Sequence, residues 1–172
     1  MRIASLTIAS AIVLAAATAH VADAAPPTIT NRLWTSVGNG CVVADESNGI
    51  YDSRLAGLGF LSWSTGTIRA YCPVAISTNG SSPWVTGLGF SYKFPLGNTG
   101  TILARLWRVA DGSNSASLLC TVNGSASFSG LAVDWCSVGS TLSRTHSYWV
   151  EIQMTRANTT VDVEALSVFL YN

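Results

Sequence analysis

Trp84-Val85-Thr86-Gly87-Leu88-Gly89-Phe90-Ser91-Tyr92-Lys93-Phe94 decides the fold, because it alternates with a period of two. Trp84, Thr86, Leu88, Phe90, Tyr92 and Phe94 share one face, and Val85, Gly87, Gly89, Ser91 and Lys93 share the other. Successive side chains of an extended chain point to opposite sides, so this run is a strand with one face on a core. The reading places Trp84 in that core.

The same period recurs on either side. Ile68, Ala70, Cys72, Val74 and Ile76 alternate with Arg69, Tyr71, Pro73 and Ala75, and Tyr148, Val150, Ile152 and Met154 alternate with Trp149, Glu151, Gln153 and Thr155. Near the C-terminus Val161 and Val163 alternate with Asp162 and Glu164, and then the apolar phase flips to Leu166, Val168 and Leu170. A slip of one residue exchanges the faces of a strand, so this run implies either a β-bulge near Ala165 or a strand buried on both sides. Beyond the N-terminal segment, no run has a helical period.

Turn residues punctuate these runs. Asn123-Gly124, between Leu118–Val122 and Ser125–Leu131, reads as a tight hairpin with both central residues at positive φ. Asp111-Gly112 opens a looser connection, and Leu96–Gly100, Thr78–Pro83 and Arg156–Asn158 read as loops. Adding weaker runs at 32–37, 40–44 and 56–64 gives roughly nine to ten strands, a pattern that fits a two-sheet antiparallel β-sandwich. Jelly-roll and immunoglobulin-like topologies both remain open. Gly57-Leu58-Gly59-Phe60 recurs as Gly87-Leu88-Gly89-Phe90. The echo reads as two strands whose outer-face glycines admit a neighbouring backbone or ring.

The N-terminus sets the compartment. Met1-Arg2 precedes an uncharged apolar run, Ile3 to Ala19, and Ala22-Asp23-Ala24 fits an A-x-A cleavage site. The run is shorter than the roughly 20 residues of a membrane span. Residues 1–24 therefore read as a signal peptide, and 25–172 as a single β-sandwich domain with no integral membrane segment, secreted to the periplasm or beyond. Four cysteines remain: Cys41, Cys72, Cys120 and Cys136. An even count in an oxidising compartment implies two disulfides. Of the three possible pairings, 41–72 with 120–136 keeps both bridges local and is the one expected. A four-thiolate metal site is disfavoured, because no close C-x-x-C pair is present.

Charge excludes some partners. Cleavage removes Arg2 and Asp23, one charge of each sign, so the mature chain stays neutral. It has no electrostatic footprint for nucleic acid or an anionic membrane. No cofactor or metal motif occurs. His146 is the one histidine of the mature chain. A Ser-His-Asp site could be drawn from Ser143 or Ser147 with Asp134, but no nucleophile-elbow motif supports it. Asp162 and Glu164, on one strand face, read as a solvated outer surface rather than a glycosidase pair. The loop Asp45–Gly49 with Asp52 reads as a polar turn rather than a calcium site. Sequons at Asn79, Asn123 and Asn158 each also read as turns.

Tryptophan is the best lead, with six in the chain. Trp149 falls opposite in phase to Tyr148, Val150 and Ile152, and Trp107 shares a phase with Arg105 on a strand whose phase is ambiguous. Exposed indoles beside hydrogen-bonding groups give apolar area with a polar handle. Trp149, Trp107 and Trp63 are thus the candidate contact residues, and no catalytic residue is expected. The leading expectation is a non-catalytic binding module, or a part of an extracellular assembly, whose partner is a glycan or another extracellular protein. A carbohydrate-binding module using exposed tryptophan is one alternative; a small secreted hydrolase is the other.

Overall fold

The structure, a computed structural model, describes residues 31–54, 57–76, 82–96, 100–124 and 130–172, with only the backbone of 54 and 94–96. The expected signal peptide, the Asn79 sequon, Ser125 of the Asn123 sequon and the side chain of Phe94 lie outside the described residues.

Eleven strands are described: β1 Arg32–Val37, β2 Val42–Val43, β3 Tyr51–Arg54, β4 Gly57–Phe60, β5 Gly66–Pro73, β6 Trp84–Leu96, β7 Thr101–Ala110, β8 Ala116–Asn123, β9 Gly130–Thr141, β10 His146–Arg156 and β11 Asp162–Tyr171. Every pairing is antiparallel. One sheet, A, runs β3-β4-β11-β6-β9 with β1 also on β11; the other, B, runs β2-β5-β10-β7-β8. Strands β4-β11-β6-β9 thus face β5-β10-β7-β8, the interlocked order of a jelly roll, which settles the choice against an immunoglobulin-like topology.

The core lies between the sheets. Leu58, Phe60, Leu88, Phe90 and Val168 of sheet A and Ile68, Ala70, Cys72, Ala104, Leu106, Val150, Ile152 and Met154 of sheet B are fully buried. Bridges join Cys41 to Cys72 and Cys120 to Cys136. The first ties the segment before β2 to β5. The second ties β8 to β9, the edge strands of the two sheets, across one side of the sandwich.

Four features depart from the sequence reading. Trp84 is 54% exposed and Val85 is buried in its place. The β6–β9 register shifts between Val85 and Gly87, where β9 carries an extra residue around Gly139, whose φ is +55°, and the strand phase turns over there. Asn123-Gly124 is no tight hairpin. Neither residue has a positive φ, and Gly124 N–H donates to Ile102 O at 2.8 Å as the chain leaves sheet B for sheet A. Its expected partner strand is replaced by β9, which pairs with β6. Glu164 is buried rather than solvated, and a register shift separates it from Asp162, so the two do not form an open acidic face. Arg156 belongs to the end of β10 rather than to a loop.

Arg156 is 2% exposed. Its Nε donates to Ser64 O at 2.8 Å, its Nη1 to Val161 O at 3.2 Å and its Nη2 to Leu61 O at 2.6 Å and Ser62 O at 3.3 Å. Nη2 also contacts Ser64 O. The guanidinium lies 4.9 Å from the Phe60 ring centroid. It clasps the β4–β5 turn to the rim of the core.

The C-terminal strand shows both expected features. The β11–β6 register shifts between Ala165 and Ser167, and Val168–Tyr171 are then buried on both faces. The outer face is closed by Phe169, whose ring lies across Gly89. A Cβ on Gly89 would sit 2.3 Å from that ring, and one on Gly57 would sit 2.4 Å from Ala165 O. The repeated Gly-Leu-Gly-Phe runs are therefore the two strands that flank β11. Arg32 covers Phe169 from outside at 4.1 Å, and burial pushes the Tyr171 phenol above its ordinary pKa.

Candidate functional site

Ten consecutive residues of β10 pair with β7, which places Trp149 directly opposite Trp107. The alternate residues Val150, Ile152 and Met154 of β10 and Ile102, Ala104 and Leu106 of β7 are buried in the core. Both indoles therefore stand on the outer face of sheet B, half-buried. Their ring centroids are 6.4 Å apart and their planes agree within 11°. The pair forms one shelf of two parallel, stacked rings rather than two separate side chains.

Polar neighbours hold the shelf in place. Trp107 Nε1 donates to Glu151 Oε2 at 2.9 Å. Arg105 Nη1 reaches the same oxygen at 3.5 Å and donates to Gln153 Oε1 at 3.2 Å. The Arg105 and Glu151 side chains are 28% and 12% exposed. A half-buried ion pair with further hydrogen bonds is geometrically definite, and it fixes the Trp107 ring rather than leaving it to rotate. Further along the same face Arg69 pairs with Glu46 at 3.3 Å.

The register extends the apolar row. Trp149 pairs with Pro73 of β5, and Trp107 pairs with Leu118 of β8, which is 47% exposed. Tyr71, Glu151, Arg105 and Thr121 form the next row on that face. Pro73, Leu118 and Tyr71 were not legible as site residues, because they join the tryptophans only through pairing across strands. A sequence pattern reports the phase of one strand and not its partners.

Trp63 is 74% exposed but stands apart. It lies in the β4–β5 turn clasped by Arg156, seven residues along β10 from Trp149, or roughly 23 Å at strand rise. The structure brings Trp107 and Trp149 together and leaves Trp63 at the other end of the sheet.

The hydrolase constellations are not assembled. Asp134 of β9 accepts a hydrogen bond from the Tyr92 hydroxyl on the inner side of sheet A. His146 begins β10 in sheet B, with Nδ1 3.2 Å from Thr145 Oγ1 and its ring beside Tyr148. Ser143 Oγ bonds Thr145 Oγ1 at 2.9 Å. Among the described residues, no group of three or more His, Cys, Asp or Glu side chains is placed to hold a metal ion. Among the same residues, no helix is long and apolar enough to cross a membrane.

No protein-family model matches the chain, and no curated protein matches it. Solved structures do. The chain is similar to a family 61 carbohydrate-binding module in complex with β-1,4-galactotriose, at 13% identity and a TM-score of 0.38, over 81% of this chain and 87% of that one. It is similar to a family 6 carbohydrate-binding module at 12% identity and a TM-score of 0.39, over 77% and 95%. It is also similar to Eiger TNF of S. frugiperda at 10% identity and a TM-score of 0.31, over 77% and 94%. The ligands in those descriptions belong to those proteins.

Proposed function

We propose that the domain is an exported, non-catalytic binding module that holds carbohydrate on the outer face of sheet B. The observation that supports this is the Trp107–Trp149 shelf, parallel within 11° and braced by Glu151. Sugar rings have flat C–H faces and polar rims. A flat indole surface takes the faces, and nearby Arg105, Gln153 and Tyr71 offer hydrogen-bonding groups for the rims. Because the Trp107 ring is braced before ligand arrives, little of its side-chain freedom is lost on binding. Export follows from the reading of residues 1–24 as a cleaved leader and is in keeping with two disulfides.

The test is a glycan array with the oxidised domain, followed by calorimetric titration of the hits against Trp149→Ala and Trp107→Ala. Each variant should fold normally by circular dichroism and bind at least about tenfold more weakly, a loss of about 1.4 kcal/mol. Wild-type affinity in both variants would refute the reading. Capture of a specific protein partner with no retained glycan would redirect it to extracellular assembly.

A further inference from the structure

We infer that the ligand is an uncharged oligosaccharide laid across the strands of sheet B, making one contact on each of four strands. This rests on the carbohydrate reading and goes beyond it in direction, length and charge of the ligand.

Direction follows from the rows. Crossing the strands, the outward side chains are Pro73, Trp149, Trp107 and Leu118, an unbroken apolar track from β5 to β8. Following β10 instead, Trp149 is flanked outward by Ser147 and Glu151, so the apolar surface stops after one side chain. Neighbouring strands lie about 4.8 Å apart, so the track is on the order of 14 Å long. The 6.4 Å between the indole centroids is of the same order as that spacing. A track of this length spans several sugar rings, and a single ring cannot cover it.

The rims are read unequally. One flank of the track carries Tyr71, Glu151, Arg105 and Thr121, while the other carries Ser147, Val109 and Ala116. Hydrogen bonds to the edge of a bound chain on that flank therefore come from Tyr71 and Arg105.

Charge selection follows from cancellation. The charged side chains in the rows from Arg69 to Leu118 are Glu151, Arg105 and Arg69. Arg105 is matched by Glu151, and Arg69 by Glu46. Glu151 is further occupied by the Trp107 indole. The face offers no net charge to a carboxylate or sulfate, which would have to shed water without a free cation to meet it.

The experiment titrates wild-type protein with β-1,4-linked gluco-, manno- and galacto-oligosaccharides from disaccharide to hexasaccharide, each beside the same chain oxidised to the carboxylate at C6. Affinity for the neutral series should climb to the tetrasaccharide and then level off, without change between low and high salt. The acidic counterparts should bind at least about tenfold more weakly. Leu118→Ala should weaken the tetrasaccharide and leave the disaccharide unchanged. Equal affinity for disaccharide and tetrasaccharide, tighter salt-dependent binding of the acidic series, or a Leu118→Ala effect on both lengths would overturn the inference while leaving the carbohydrate reading intact. Absence of binding by every probe, or binding that survives both tryptophan substitutions, would overturn the parent reading and this one with it.

Discussion

Replacing Arg156 by methionine keeps the apolar stem and removes every donor of the clasp. The guanidinium of this 2%-exposed side chain bonds the carbonyls of Leu61, Ser62, Ser64 and Val161. Ser64 and Val161 are themselves 7% and 3% exposed, so their carbonyls have little access to water once the donor is gone. Each such orphaned group costs about 1–3 kcal/mol. Leu61 and Ser62 are more open and can turn to solvent. The variant also no longer has to strip water from a charge, which offsets part of the loss. A net destabilisation of about 3 kcal/mol is expected. At a urea slope of about 1–3 kcal/mol/M that is a midpoint lowered by about 1–3 M. Arg156→Lys should recover little, because an ammonium is a compact point charge and cannot span carbonyls on two sides. The assay is equilibrium urea unfolding of the oxidised proteins, followed by tryptophan fluorescence and circular dichroism. A midpoint change worth less than about 0.5 kcal/mol, the size of an ordinary surface substitution, would refute the claim that this arginine holds the turn to the core.

Other expectations are smaller in scope. Gly89→Ala forces a Cβ into the buried Phe169 ring and should lower stability by about 1–3 kcal/mol, read as a lower thermal midpoint. Mass spectrometry of non-reduced peptides should link Cys41 to Cys72 and Cys120 to Cys136, and removing either bridge should cost about 2–5 kcal/mol. The raised Tyr171 pKa stabilises the fold fully below the phenol's ordinary value of 10.0 and is lost as pH rises through the folded value. Urea midpoints should therefore fall at strongly alkaline pH, and fall less in Tyr171→Phe. Intact mass of the exported protein should place its first residue at Ala25; a retained leader would contradict the signal-peptide reading.

What could be read from the sequence was what depends on one strand at a time. The buried phases of β5 and β10, the bulge in β11 and the outward phase of Trp149 all follow from alternation along a single segment, whereas the phase of β7 stays ambiguous until it is paired with β10. Strand β9 escaped because its pattern is inverted. Leu131 and Val133 are 64% and 43% exposed, while Ala132, Asp134 and Cys136 face the interior. Strand β3 escaped because Tyr51-Asp52-Ser53-Arg54 is too short and polar to show a period. Trp84 lies beyond the register shift with β9, where Val85 takes the buried position, and nothing in β6 alone announces that shift. The choice of Asn123-Gly124 as a hairpin failed for a related reason. Local turn chemistry favoured it, but the jelly-roll connection there has to change sheets. The candidate site divides the same way. Trp149 is visible as an outward residue and Trp107 as a candidate on a strand of ambiguous phase, whereas their parallel stacking, the Glu151 brace and the flanking Pro73 and Leu118 exist only once four strands are aligned.

Indole N–H resonances of the uniformly nitrogen-15-labelled domain, titrated with a neutral tetrasaccharide, test the ligand surface most directly. Trp107 and Trp149 should shift together in a saturable way, while exposed Trp63 and Trp84 hold still. Saturable shifts at Trp63 or Trp84, with the paired indoles unmoved, would show that sugar is held elsewhere and that the shelf on sheet B is not the contact surface.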